Sequence, residues 1–225
     1  MPKKEIKLLS TRFVEDDSIE VGVDEAGRGP MLGRVYAGAV VLPQDGFNHC
    51  DMKDSKRFHS EKKINATAEY IKENAIAWGV GWCSAEEIDS LNIRRATHRA
   101  MHKAISQVID MLDENSSILK IHLLVDGNDF TPMMRVIDGN SIVLKTSTIE
   151  GGDDKFTSIA AASILAKVDR DAYIESICND EPELDTRYNL RKNKGYGTKQ
   201  HMDGIREHGI TKHHRKTFGL CKHYV

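Results

Sequence analysis

Asp24 and Glu25 stand side by side at the end of an apolar run, "IEVGVDEAGRGP", and Asp126 closes a second one, "LLVDG". Carboxylates at the ends of buried strands repel one another and resist burial unless a cation sits beside them. In open α/β sheets the carboxyl ends of strands are where ligands bind, so these acids stand where a site would be built. Hard oxygen donors without clustered thiols suit Mg2+ or Mn2+. Two such ions about 4 Å apart would activate a water and stabilise the leaving oxygen of a phosphodiester. The plainer reading of an Asp-Gly at a strand end is a turn, and Asp126 alone supports no more than that. Ala26 and Gly27 are expected to bend the chain and bring Asp24 and Glu25 to one point, because an extended strand would aim them at opposite faces.

The elements that must position these acids follow from periodicity. Strands are predicted over residues 19–24, 35–42, 75–83, 120–127 and 141–148. Ser60 caps a helix reaching about Asn74, and apolar residues at three- and four-residue intervals from Ile93 to Leu112 give a long amphipathic helix over 92–114. A helix rich in small residues runs from Phe156 to Cys178, and a shorter one begins near Thr198. The first strands are joined too briefly for crossover helices, which predicts an α/β fold with a mixed central sheet flanked by helices. The polar stretch over 179–195 reads as a long loop leading to a helical C-terminal lobe.

Bulk properties exclude some classes. The net charge of the 225 residues is only −2, but residues 186–225 hold ten Lys and Arg against two acids, a local +8 that suits a polyanion or a solvated basic tail. Cys50, Cys83, Cys178 and Cys221 form no C-x-x-C, which argues against a zinc knuckle or redox pair and for reduced thiols. With neither an apolar span nor a secretion signal visible, a cytoplasmic protein is expected.

The blocks "GVDEAGRGP", "DSK" at 54–56, "EEIDSLNIRRATHRAM", "LLVDGN", "GGDDKFTSIAAASILAKVDRD", "GYGTKQH" and "HHRKTF" occur in this order over nearly the whole chain. Together they resemble ribonuclease HII, the type 2 ribonuclease H family. The resemblance implies one domain of RNase H-like fold, with a core over about 18–180 and the basic lobe over about 186–225. It implies a monomeric endonuclease that cuts RNA paired with DNA and incises at single ribonucleotides in duplex DNA, leaving 5′-phosphate and 3′-hydroxyl ends. It also implies a site for two divalent cations, Mn2+ or Mg2+.

Carried over by position, the family's four metal-binding carboxylates fall on Asp24, Glu25, Asp126 and Asp153, with Gly151 where the family usually has lysine. Asp153 also precedes a helix, where the helix dipole favours a carboxylate, whereas Asp169 and Asp171 read as a solvated face with Lys167 and Arg170. Gly27-Arg28-Gly29 resembles the family's ribose-reading loop, whose missing side chains let main-chain groups approach a 2′-hydroxyl. Tyr196 resembles the tyrosine that packs on the sugar at the RNA–DNA junction. Ser55, Lys56, Lys199 and Arg215 are expected to contact backbone phosphate. His201, His213 and His214 are read as structural or solvated, since hard cations favour oxygen. Three alternatives share parts of this pattern: another nuclease or recombinase of the same fold, a type 3 ribonuclease H, which usually carries an extra N-terminal domain, and a non-catalytic hybrid-binding module.

Overall fold

The computed structural model describes residues 8–58, 60–112, 120–137 and 139–225. Its centre is a five-stranded sheet in which β1 (Ile19–Ala26), β2 (Val35–Val41) and β3 (Ala77–Cys83) form an antiparallel meander. Two further strands, β4 (Ile121–Asp126) and β7 (Lys145–Ile149), add in parallel on the other side of β1, giving the order β3-β2-β1-β4-β7. The expected mixed sheet is therefore present, with β1–β2 and β2–β3 as its antiparallel pairs.

One helix lies on each face. The helix α3 (Ile93–Met111) buries Ala96, Ala100, Met101, Ala104, Ile105 and Val108, the stripe its periodicity requires, against Val21, Val23, Leu123 and Val125. The expected continuation of α3 to Glu114 lies outside the described residues. On the opposite face, α4 (Thr157–Asp180) approaches so closely that a Cβ at Gly22 or Gly38 would overlap the backbone of Ser158 or Ala162. Its small residues Ala160, Ala161 and Ala162 are fully buried there, with α1 (Glu61–Asn74) packed alongside.

Several boundaries differ from those the sequence predicts. A separate helix, α2 (Ala85–Leu91), precedes α3, and Asn92 at φ 69° breaks the two while its side chain accepts from the Arg95 amide to cap α3. The run "SIVLKTST" is two strands: β6 (Asn140–Val143) pairs with β5 (Met134–Ile137) as a separate ribbon, and β7 joins the main sheet. Between them Leu144 is buried and donates its amide to the Met133 carbonyl, closing the ribbon. The expected loop over 179–195 contains two short helices, α5 (Glu183–Tyr188) and α6 (Leu190–Asn193), before α7 (Lys199–His208). Leu184, Tyr188, Leu190 and Ile205 bury themselves with Leu32 and Ile174, so the C-terminal helices pack onto the segment that follows β1.

Candidate active site

Parallel pairing of β1 with β4 sets the site. Val23 stands opposite Val125, and the next residue on each strand is an acid, Asp24 and Asp126. Gly22 and Leu124 face α4, so by the two-residue period of a strand Asp24 and Asp126 share that face. The strand stays extended through Ala26, with Glu25 opposite Ala37, and the chain turns at Gly27 (φ 87°), too late to bring Asp24 and Glu25 onto one face. Glu25 projects to the α3 face and rounds the sheet end by its length, lining a cleft on each side. Asp153 arrives from a 3-10 turn over Gly152–Asp154 just before α4, and its buried carboxylate lies 4.0 Å from Lys56 Nζ.

The cleft at the acids, about 240 Å3, is lined by Asp24, Glu25, Asp126, the Gly27–Gly29 loop, Ser55, Lys56 and Tyr196, together with Ser163, Lys167 and Arg170. A neighbouring cleft of about 160 Å3 shares Glu25, Arg28 and Asp126 and is bounded by Arg94, His98 and Asp129. Tyr196 is half exposed, its ring 3.5 Å from where a Cβ on Gly29 would stand, so loop and tyrosine form one wall. The guanidinium of Arg170 lies 5.6 Å from the centre of that ring.

Electrostatics mark the acids as a strained group. Burial, then Glu25 and Asp126, push Asp24 well above the usual carboxylate range. Glu25 is raised by burial against the pull of Arg28, 3.3 Å away, and Asp153 is raised by burial and by Asp126. Burial alone would lower the Lys56 ammonium, but Asp54, Asp153, Asp24 and Asp126 together hold it above its ordinary value. Each acid leans on a local donor: Asp24 on the Glu25 amide at 2.7 Å, Asp126 on the Gly152 amide at 2.6 Å, Glu25 on Arg28 and Asp153 on Lys56. Among the described residues no three acidic, histidine or cysteine side chains are drawn into a ready ligand set. The donor chemistry nevertheless fits a hard divalent cation: Asp24, Glu25 and Asp126 line one cleft, Asp153 stands outside that lining but is raised by Asp126, and the carboxylates repel one another.

Other expected site residues take different places. Arg215 does not present itself to phosphate; it is fully buried and gives its guanidinium to the carbonyls of Gly27, Arg28, Pro30, Gly33 and Arg34 at 2.6–3.1 Å. Burial, with Arg170 nearby, lowers it to about 9. The Ser55 hydroxyl is buried 3.0 Å from that of Ser163, so Ser55 braces the cleft wall against α4. Lys199 is exposed at the start of α7 and paired with Asp203 at 2.6 Å, outside the cleft lining. Arg170, read as part of a solvated helix face, is only 2% exposed. Lys167, Arg170 and Ser163 fall at three- and four-residue steps on one face of α4, a spacing that could have flagged them beside the acids. His201 and His214 are buried with Nε2 atoms 3.2 Å apart, a structural pair as expected.

A mixed sheet of this strand order with a helix on each face is the RNase H-like fold. Residues 21–221 match the family model for ribonuclease HII, and the chain belongs to that family. Among curated relatives, ribonuclease HII of Parabacteroides distasonis is 46% identical over 92% of this chain and 94% of its own length. Of solved structures, that of the PCNA:RNase HII complex from Archaeoglobus fulgidus aligns with TM-score 0.65 at 22% identity, covering 90% of this chain and 96% of that one. Bst-RNase HIII in complex with Mn2+ aligns with TM-score 0.61 at 15% identity, covering 97% of this chain and 70% of that one. Both show the shared fold. Family membership makes the protein a ribonuclease H, a metal-dependent endonuclease for RNA/DNA hybrids.

Proposed function

We propose that this ribonuclease H also incises duplex DNA at single embedded ribonucleotides, by two-metal phosphodiester hydrolysis that leaves 5′-phosphate and 3′-hydroxyl ends. The carrying observation is one cleft in which Asp24, Glu25 and Asp126 face the Gly27–Gly29 loop and Tyr196. Asp24, Glu25, Asp126 and Asp153 would hold the cations, Mn2+ or Mg2+. When bound, these ions would make water a stronger nucleophile at neutral pH and neutralise charge on the departing oxygen.

The chain's own residues supply selection and placement. Amides of the Gly27–Gly29 loop approach a sugar without side-chain obstruction and hydrogen-bond its 2′-hydroxyl. Tyr196 offers a ring face for the sugar at the junction, held from behind by Arg170. Lys56, exposed and cationic at the mouth, steers the phosphate chain towards the acids. Lys199 adds phosphate affinity from outside the cleft. On this reading the protein acts as one domain and as a monomer. Among the described residues no helix is long and apolar enough to cross a membrane; the four unpaired cysteines accord with the reading that the protein works in the cytoplasm.

The deciding experiment is cleavage of a DNA duplex carrying one ribonucleotide, with and without Mn2+ or Mg2+ and with the ends mapped. Expected is metal-dependent incision on the 5′ side of the ribonucleotide or at its junction, and silence on the all-DNA duplex. Equal cutting of both duplexes would overturn the reading.

A further inference from the structure

Arg215 is the most unusual charge in the molecule. It is buried without a carboxylate in contact, and its three nitrogens donate to five main-chain carbonyls of the segment joining β1 to β2. The same segment is laced to the C-terminus by backbone bonds from Arg215 N to Met31 O, from Gly33 N to His213 O, and from Met31 N to Gly195 O. Phe218 covers the guanidinium at 5.0 Å. Gly27 takes φ +87°, a left-handed turn that lets its carbonyl point inwards at Arg215.

A peptide chain whose successive carbonyls converge on one cation must turn its amides the other way. The N–H groups of Arg28 and Gly29 meet no acceptor among the described residues, and both residues line the cleft. Arg28 and Gly29 are exposed, so water can serve these amides, and their orientation is imposed by the pull of Arg215 on the Gly27 and Arg28 carbonyls of the same trans peptide units. A lysine could not impose it, because one ammonium with three donors cannot span five carbonyls as a planar fork does.

We infer that Arg215 is the positioning residue for ribose selection: it holds the Gly27–Gly29 loop with its amides facing the cleft, and it contributes nothing directly to phosphate binding. This rests on the proposed role of that loop. The two ideas fail separately in one set of measurements: the affinity of the protein, without divalent metal, for a DNA duplex and for the same duplex with one ribonucleotide. The wild type is expected to bind the second more tightly; equal affinities would sink the loop's role itself.

Given that preference, Arg215→Ala is expected to reduce it by about tenfold while affinity for the all-DNA duplex stays unchanged. Guanidinium ion at millimolar concentration refills the cavity and restores the preference, whereas methylammonium does not. Arg215→Lys, which keeps charge and most of the volume, gives the same loss and serves where the alanine variant does not fold. If either variant loses DNA affinity in proportion and keeps its ribose preference, Arg215 is a phosphate contact and the inference is overturned.

Discussion

At the scale of single residues, the site is a balance between like charges and the donors that restrain them. Asp126 is central, because it raises Asp24, Glu25 and Asp153 while its own oxygen accepts from the Gly152 amide. Asp126→Asn keeps that acceptor and removes the charge. The metal-free variant is therefore expected to gain stability on the order of 1 kcal/mol, while it loses cleavage and most of the rise in Tm that Mn2+ or Mg2+ gives the wild type. Thermal unfolding with and without metal reads both effects, and an undiminished metal-induced rise in the variant would remove Asp126 from the ligand set. The acids were legible in the sequence because they end apolar strands and stand in a recognisable block. Arg215, Arg170 and Ser55 lie deeper than their sequence context suggests for a common reason: a basic or hydroxyl side chain in a charged stretch looks solvent-facing, and only the packed structure shows that carbonyls or another hydroxyl hold it inside.

At the scale of elements, the site depends on how near α4 lies to the sheet. Asp24 and Asp126 face α4, and Ser163, Lys167 and Arg170 reach the cleft from it, so any outward shift of that helix opens the cleft. Gly38 sets the spacing where a Cβ would enter the Ala162 backbone; at Gly197 an added Cβ would meet only the flexible end of Met31, at 2.8 Å. Gly38→Ala is therefore expected to cost about 1–3 kcal/mol by overpacking, and Gly197→Ala less than half as much. Urea unfolding of the two variants tests this, and similar losses would show that helix approach is not the constraint. The small-residue helix and both buried strand ends could be read from the sequence, since periodicity and side-chain volume carry that information. The β5–β6 ribbon and the helices within 183–193 could not, because short elements are fixed by tertiary contacts such as those of Leu144, Leu184 and Leu190.

At the scale of the whole molecule, charge that is segregated along the chain is partly matched in space. Arg191 and Lys194 pair with Glu175, and Lys212 with Glu181, so carboxylates from the end of α4 and just beyond it answer the basic C-terminal segment. What fastens that segment is a directional chain of neutral groups. The Thr211 amide donates to His214 Nδ1 at 3.0 Å, which leaves His214 Nε2 protonated to donate to His201 Nε2; His201 Nδ1 then donates to the Tyr196 carbonyl at 3.0 Å. Protonating either ring breaks this order, and burial followed by the neighbouring His201 and His213 holds His214 at about 3. A base lowered on folding contributes stability that is complete above its unfolded value of 6.5 and drains away as pH falls towards the folded value. His214→Asn keeps an acceptor for the Thr211 amide but has nothing to protonate. It is expected to be less stable than wild type at neutral pH, by about 1–3 kcal/mol, with a gap that narrows steadily as pH drops below 6.5. Denaturant unfolding across that range measures the gap directly. A pH-independent difference would mean that the pair does not supply the acid sensitivity of the fold and that the anchoring of Tyr196 does not depend on its neutrality.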